Sequence, residues 1–311
     1  MKYGLGVDVG GTKIAAVIIN QHGEIIERVE VLSNPSDKEK MFKQVTKSIE
    51  SVLVNSNLEI SMIEGMGIGV PGKVDRENGI AVYQNNLPWS NFPIVEKLRT
   101  HFSIKNIVID NDVYMAAFAE WMVSNATKKE TFVYVTVSTG ISCSIIQEGS
   151  FLRGTGFAGE IGLLPVLSKS SATRLHNLEE SASGPAIQKL AKNYFECPNM
   201  TTEKFFLEYE KNKPGASVVL DEVAESLAHG IYSIVCLLDP HKVIFGGGVM
   251  NNHPYLLDLV KSKMEHYVID EQKHALLRMQ TSKLKGDSGV VGAGLKGMES
   301  LPNNFKEVGL T

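Results

Sequence analysis

Apolar and polar positions fall into two similar blocks along the chain. Gly4–Val9 is apolar up to Asp8 and predicts a buried strand. Lys13–Ile19, rich in β-branched residues, predicts a second strand, and Gly10-Gly11 between them suits a hairpin turn. Glu24–Val31 predicts a third, after a turn at His22-Gly23. In Lys38–Leu53, Met41, Phe42, Val45, Ile49, Val52 and Leu53 recur at helical spacing, with Lys and Glu on the opposite face. Gly65–Val70 and Ile104–Ile109 read as buried strands, and Val113–Val123 as a helix.

The second block repeats this theme. Phe132–Ser138 and Ile141–Gln147 form an apolar hairpin around Thr139-Gly140. Helices are predicted over Pro185–Phe195, Thr202–Glu210 and the long apolar stretch Ala216–Leu238. Val243–Phe245 predicts a short strand running into Gly246-Gly247-Gly248. Pro254–Val268 reads as a helix, Ala275–Leu284 as a strand and Val290–Met298 as a final helix. Two blocks that each open on a Gly/Thr-turned hairpin amount to a weak duplication, which predicts two similar α/β lobes around a ligand cleft. We expect lobes at residues 1–118 and 119–296, with a helix near 297–311 packing back on the first.

Composition narrows the class. At about 150 residues per domain, 311 residues allow two domains, and 43% hydrophobic with 21% charged residues is an ordinary globular mix. A net charge of −4 carries no electrostatic footprint for nucleic acid. No run of about 18 apolar residues or leader-like start occurs, so neither a membrane span nor export is expected. Cys143, Cys197 and Cys236 lack zinc or disulfide spacing and predict reduced, mostly buried thiols in a cytoplasmic protein.

Five clusters carry candidate chemistry. In Asp8-Val9-Gly10-Gly11-Thr12-Lys13 the glycines let backbone N–H groups approach an anion, and Thr12 and Lys13 add a hydroxyl and a charge. Asp8 can hold Mg²⁺, directly or through water. The spacing is not that of a Walker A loop, and a plain hairpin turn uses the same glycines. Thr139-Gly140 is the matching turn of the second block. Asp110-Asn111-Asp112, between strand and helix, offers a carboxylate as general base, although helix capping alone explains such residues. Glu160 and Glu179 are natural acceptors for sugar hydroxyls. Gly247 and Gly248 allow backbone to lie against a flat base, where a flexible loop is the plain reading.

Taken in order, these motifs resemble the ROK family of bacterial sugar kinases over essentially the whole chain. Leu5–Lys13 is similar to its first phosphate motif, Gly67–Asp75 to its GxGxPGxVD segment and Asn86-Leu87-Pro88-Trp89 to its NLPW stretch. Asp110-Asn111-Asp112 resembles its DND box, Gly154–Gly162 the stretch ending in GE-x-GH, and Gly246–Val249 and Gly286–Gly294 its adenosine-side and closing segments. The resemblance implies a two-lobed actin-like ATPase (ribonuclease H-like) fold with an interdomain active-site cleft. It implies phosphoryl transfer from Mg-ATP to the 6-hydroxyl of a glucose-like or amino-hexose, Asp112 as the base, and a homodimer. N-acetylmannosamine or fructose kinase activity and a non-catalytic sugar sensor are the other readings. The family's repressors carry a DNA-binding module ahead of the first motif, and Asp8 lies too near the start for one. Gly72, Asn86, Asn111, Asp112, Glu160 and Glu179 match substrate-binding positions; Asp8, Gly10, Gly11, Thr12, Lys13, Thr139, Gly140, Gly247 and Gly248 match nucleotide-binding ones. Three departures stand out. Leu163 replaces the family histidine, Ser168–Asn177 replaces its cysteine cluster, and Ser142, Cys143 and Ser144 stand where glycine is frequent. With histidine and cysteines gone, no structural zinc is expected. The acid-rich pocket that remains suits a cationic amino sugar.

Overall fold

The computed structural model describes residues 2–84, 86–167 and 175–299. Two compact units result among the described residues: one holds those up to Ala119 and from Asp287 to Glu299, the other those within Glu120–Gly286.

In the first unit, β1 (Tyr3–Val9), β2 (Lys13–Asn20) and β3 (Ile25–Leu32) form an antiparallel meander, followed by α1 (Lys38–Ser56). Asp37 starts α1 by accepting the N–H groups of Glu39 and Lys40 (2.9 and 3.0 Å), and left-handed Asn57 ends it. β4 (Ile63–Val70) pairs parallel with β1. A small antiparallel sheet follows, β5 (Lys73–Asp75), β6 (Ile80–Tyr83) and β7 (Ser90–Phe92). Then come α2 (Ile94–Phe102), β8 (Ile107–Asn111), parallel to β4, and α3 (Asp112–Val123), which crosses into the second unit. The main sheet has the order β3-β2-β1-β4-β8. Leu5, Val7 and Val9 of β1 lie in one buried cluster with Met41, Val45 and Ile49 of α1.

The second unit has the same layout. β9 (Phe132–Val137), β10 (Ile141–Gln147) and β11 (Ser150–Phe151) form the meander. The hairpin β12 (Pro165–Leu167) and β13 (Leu175–Asn177) leads to α4 (Leu178–Ala182), α5 (Gly184–Tyr194), α6 (Thr202–Glu210) and α7 (Ala216–Leu238). β14 (Lys242–Gly246) runs parallel to β9, followed by α8 (Gly247–Asn252), α9 (Tyr255–Met264), α10 (His274–Leu277) and β15 (Met279–Thr281). The order β11-β10-β9-β14-β15 repeats that of the first sheet. One side chain locks the two ends of this unit together. Glu120, 1% exposed, accepts hydrogen bonds from the Ser282 hydroxyl and from the N–H groups of Lys283 (3.3 Å) and Leu284 (3.2 Å).

The last helix, α11 (Ser288–Met298), returns to the first unit and lies directly on β1 and β4. Glycine is obligatory there: a Cβ on Gly67 would fall 1.8 Å from the Ala293 carbonyl oxygen, and one on Gly6 2.0 Å from that of Val290. The expected helix near 297–311 falls mostly outside the described residues.

Three expectations change. Ala275–Leu284 is not one strand but α10 followed by three-residue β15. Ala275 and Leu276 are adjacent buried residues beside an 83% exposed Leu277, a pattern that an alternating strand does not produce. The three glycines at 246–248 are not a flexible loop but the turn from β14 into α8. Gly247, at φ +85°, sits where a Cβ would lie 2.5 Å from the Val137 carbonyl. The thiols are free, but only Cys143 is buried; Cys197 is half-buried and Cys236 exposed.

Candidate active site

The first unit brings two carboxylates together. Asp8, next to last in β1, shares the face of Gly4 and Gly6, and the sheet register sets Asp8 beside Gly69 and Gly69 beside Asp110. A Cβ on Gly69 would touch both Asp8 Oδ1 and Asp112 Cα at 3.5 Å. Absence of that Cβ therefore lets Asp8 and the start of α3 flank one glycine. On the other side Gly289, in the first turn of α11, gives Asp8 similar clearance: its Cβ would lie 3.1 Å from Oδ2. Burial first, then the neighbouring Asp112 charge, pushes the Asp8 carboxyl up to about 7, against the opposing pull of Arg28. Burial also raises Asp112, although the Val113 N–H donates to its Oδ1 at 3.0 Å and moderates the shift. Asp112 sits at a helix N-terminus where its carboxylate is oriented by backbone.

The glycine turn after β1 closes through the Gly10 N–H and the Lys13 carbonyl (3.0 Å), leaving the N–H groups of Gly11 and Thr12 outside that bond. The Ser33 hydroxyl holds the Gly10 carbonyl at 2.6 Å. Gly11 packs on Asn86, where a Cβ would lie 2.9 Å from the asparagine Cβ. Thr12 is exposed. Lys13, expected at phosphate, is engaged with Glu30 at 3.1 Å. Asn111 is tied at both ends of its amide: Oδ1 accepts the Val113 N–H (2.9 Å) and Nδ2 donates to the Gly72 carbonyl (3.0 Å). It thus caps α3 and anchors left-handed Gly72 (φ +78°), so both expected substrate residues belong to one rigid corner.

In the second unit the β9–β10 turn is braced by a carboxylate. The Ile141 N–H donates to Glu179 Oε2 at 2.8 Å, and a Cβ on Gly140 would meet that oxygen at 2.6 Å. A 3₁₀ turn at Ile161–Leu163 rests on the same side chain, where a Cβ on Gly162 would approach Glu179 Cβ to 3.3 Å. Gly140, Glu179 and the Glu160–Leu163 segment are therefore one cluster. The Cys143 N–H donates to the Gly159 carbonyl at 2.8 Å, which sets Glu160 beside β10, and burial first, then the Glu160 charge, push the Cys143 thiol up to about 12. Leu163, at the family histidine position, is 67% exposed. His176 Nδ1 lies 4.0 Å from Glu180 Oε2; of the segment Ser168–Asn177 that replaces the cysteine cluster, only β13 (Leu175–Asn177) belongs to the described residues.

Two cavities open from this turn. One of ≈ 1070 Å³ reaches Thr139, Glu179 and Glu180. Another of ≈ 330 Å³ joins Ser138 and Thr139 to Gly184, Gln188, Glu203 and Gly248. Thr139 and Gly248, far apart in sequence, thus share a wall, whereas Gly247 is turned into β9. Gln188 and Glu203, which line this cavity from α5 and α6, belong to none of the motifs read from the sequence. Sequence reasoning also missed Glu120, an apparently ordinary glutamate in an apolar helix.

A sequence profile of the ROK family matches residues 4–295. The chain belongs to the ROK family. Among ROK proteins, a glucokinase of Halalkalibacterium halodurans is 27% identical over 309 residues, covering 93% of each chain. A xylose repressor of Caldicellulosiruptor bescii is 28% identical over 93% of this chain and 76% of its own. The structure of a ROK hexokinase from Thermus thermophilus superposes with a TM-score of 0.77 at 27% identity, covering 95% of this chain and 97% of the other. The fold is accordingly the actin-like ATPase fold of ROK sugar kinases. Among the described residues no helix is long and apolar enough to cross a membrane.

Proposed function

We propose that this ROK sugar kinase transfers the γ-phosphoryl group of Mg-ATP to the 6-hydroxyl of a hexose, glucose-like or amino-substituted, with Asp112 as general base. The observation that carries the reading is the half-buried Asp8 and Asp112 carboxylates flanking Gly69. Desolvation raises Asp112 above an ordinary carboxylate and so makes it a stronger base, while the Val113 N–H fixes its Oδ1. Phosphoryl transfer needs little covalent chemistry from the protein; positioning and neutralised charge suffice.

The Asp8 carboxylate, a hard oxygen donor destabilised by burial, fits a divalent cation, which would neutralise phosphate charge when bound. The N–H groups of Gly11 and Thr12 and the Thr139-Gly140 turn bind phosphate oxygens, and the ≈ 330 Å³ cavity beside Gly248 takes the nucleoside. Gly72, Asn86, Asn111, Glu160 and Glu179 bind the sugar, and the two glutamates favour an amino substituent. Asp112 takes the hydroxyl proton as the new P–O bond forms and ADP leaves. A homodimer in the cytoplasm is the setting we infer from the family.

The test is an ADP-release assay over neutral, N-acetylated and free-amino hexoses and fructose. Asp112→Asn should lower kcat by about 10²–10⁴-fold with an unchanged circular dichroism spectrum. Near-normal turnover in the variant refutes Asp112 as base. Sugar binding without turnover in the wild type would favour a non-catalytic sugar sensor.

A further inference from the structure

The cavity beside the Ser138–Thr139 turn has one acidic residue in its lining, Glu203. Its backbone is firmly held. Thr201 caps α6 by accepting the Lys204 N–H (3.2 Å), and the Thr202 hydroxyl donates to the Gly184 carbonyl (2.8 Å), which ties the first turn of α6 to that of α5. The next two residues, Phe205 and Phe206, are fully buried. The Glu203 carboxyl lies below the usual range, chiefly through its own N–H and the Thr201 side chain, so it is an ionised acceptor at neutral pH. No ion pair to Lys or Arg is formed by it among the described residues.

An ionised carboxylate repels phosphate and has no proton to give, so its ligand group must be a donor. Two adjacent hydroxyls match its two oxygens, as in the carboxylate recognition of ribose by dinucleotide-binding folds. The base is served by other groups of the same wall. Gln188 and Asn252 each offer one donor and one acceptor, the pattern that pairs with adenine. The His253 ring, stacked on buried Phe206 at 3.5 Å between centroids and 11° apart, adds a flat surface to this wall.

We propose that Glu203 binds the 2′,3′-diol of the nucleotide ribose and makes the enzyme select a ribonucleotide phosphoryl donor. This rests on the kinase reading above. The wild type then has a KM for 2′-deoxy-ATP roughly tenfold above that for ATP, the loss of one charge-assisted hydrogen bond. Glu203→Gln and Glu203→Ala raise the KM for ATP to about the deoxy value, leave kcat unchanged, and bring the ATP/deoxy-ATP ratio to near one. A merely structural role would weaken both nucleotides equally and preserve the ratio. Equal KM values in the wild type, or a ratio that survives in both variants, overturns the proposal. Calorimetric titration with ADP and 2′-deoxy-ADP, which needs no sugar or turnover, keeps the two readings separable. A tenfold ADP preference lost in Glu203→Gln supports the role of Glu203 even if no sugar is turned over. Indifference to the 2′-hydroxyl, or no ADP binding at all, refutes it.

Discussion

Asp8 without a bound cation is expected to destabilise the fold that carries it. Its carboxyl stands at about 7 in the folded protein against 3.8 in an open chain. The folded state therefore binds the proton more tightly, and stability falls as pH rises from about 4 to about 7. A rise of about 3 units at 1.36 kcal/mol each sets a ceiling of about 4 kcal/mol above pH 7. Asp8 is only half-buried, so water and relaxation reduce this to about 1–2 kcal/mol. Asp8→Asn keeps the shape and removes the charge. In EDTA at pH 8 its melting temperature should exceed that of the wild type by about 2–8 °C. At pH 5 the gain should shrink to about two-fifths, because most of the cost is then unexpressed. Millimolar MgCl₂ should raise the wild-type melting temperature and leave Asp8→Asn unmoved. ADP release should be lost in the same variant. A variant that melts at or below the wild type in EDTA at pH 8 would refute the claim that burial strains this carboxylate.

Two further substitutions probe the scaffold. Gly67→Ala must push α11 off the sheet, at a cost of about 3 kcal/mol, and should melt several degrees lower; Gly286→Ala, with nothing within 4 Å of the added carbon, should stay within about 0.5 kcal/mol in the same denaturation experiment. Glu120→Ala leaves the Lys283 and Leu284 N–H groups and the Ser282 hydroxyl without their acceptor, which should cost about 3 kcal/mol in urea unfolding while leaving the KM for ATP unchanged.

The long periodic segments were legible because each buries one continuous face. Thr202–Glu210 and Ala216–Leu238 match α6 and α7 residue for residue, and the two Gly/Thr hairpins are β1–β2 and β9–β10. The short elements were not. β5 to β7 have three or four residues each, too few for a period to emerge, and α10 with β15 was read as one strand. The motif residues Asp8, Asn111, Asp112, Thr139 and Glu179 were all singled out in the sequence, but which residues pair with them was not. That Asn111 spends both ends of its amide on Val113 and Gly72, and that Glu179 braces the Ile141 N–H, depends on segments 39 and 38 residues apart.

The sequence by itself determined the family, the order of the long helices and strands, and which residue types stand at their ends, since these follow from local spacing and turn chemistry. Only the tertiary structure decided which groups are strained and which are neighbours. Helix α11, from the far end of the chain, lies against bare glycine backbone on β1 and β4 and sets Gly289 beside Asp8. Burial raises Asp8 and Asp112, and burial depends on packing between residues distant along the chain, which local pattern cannot encode.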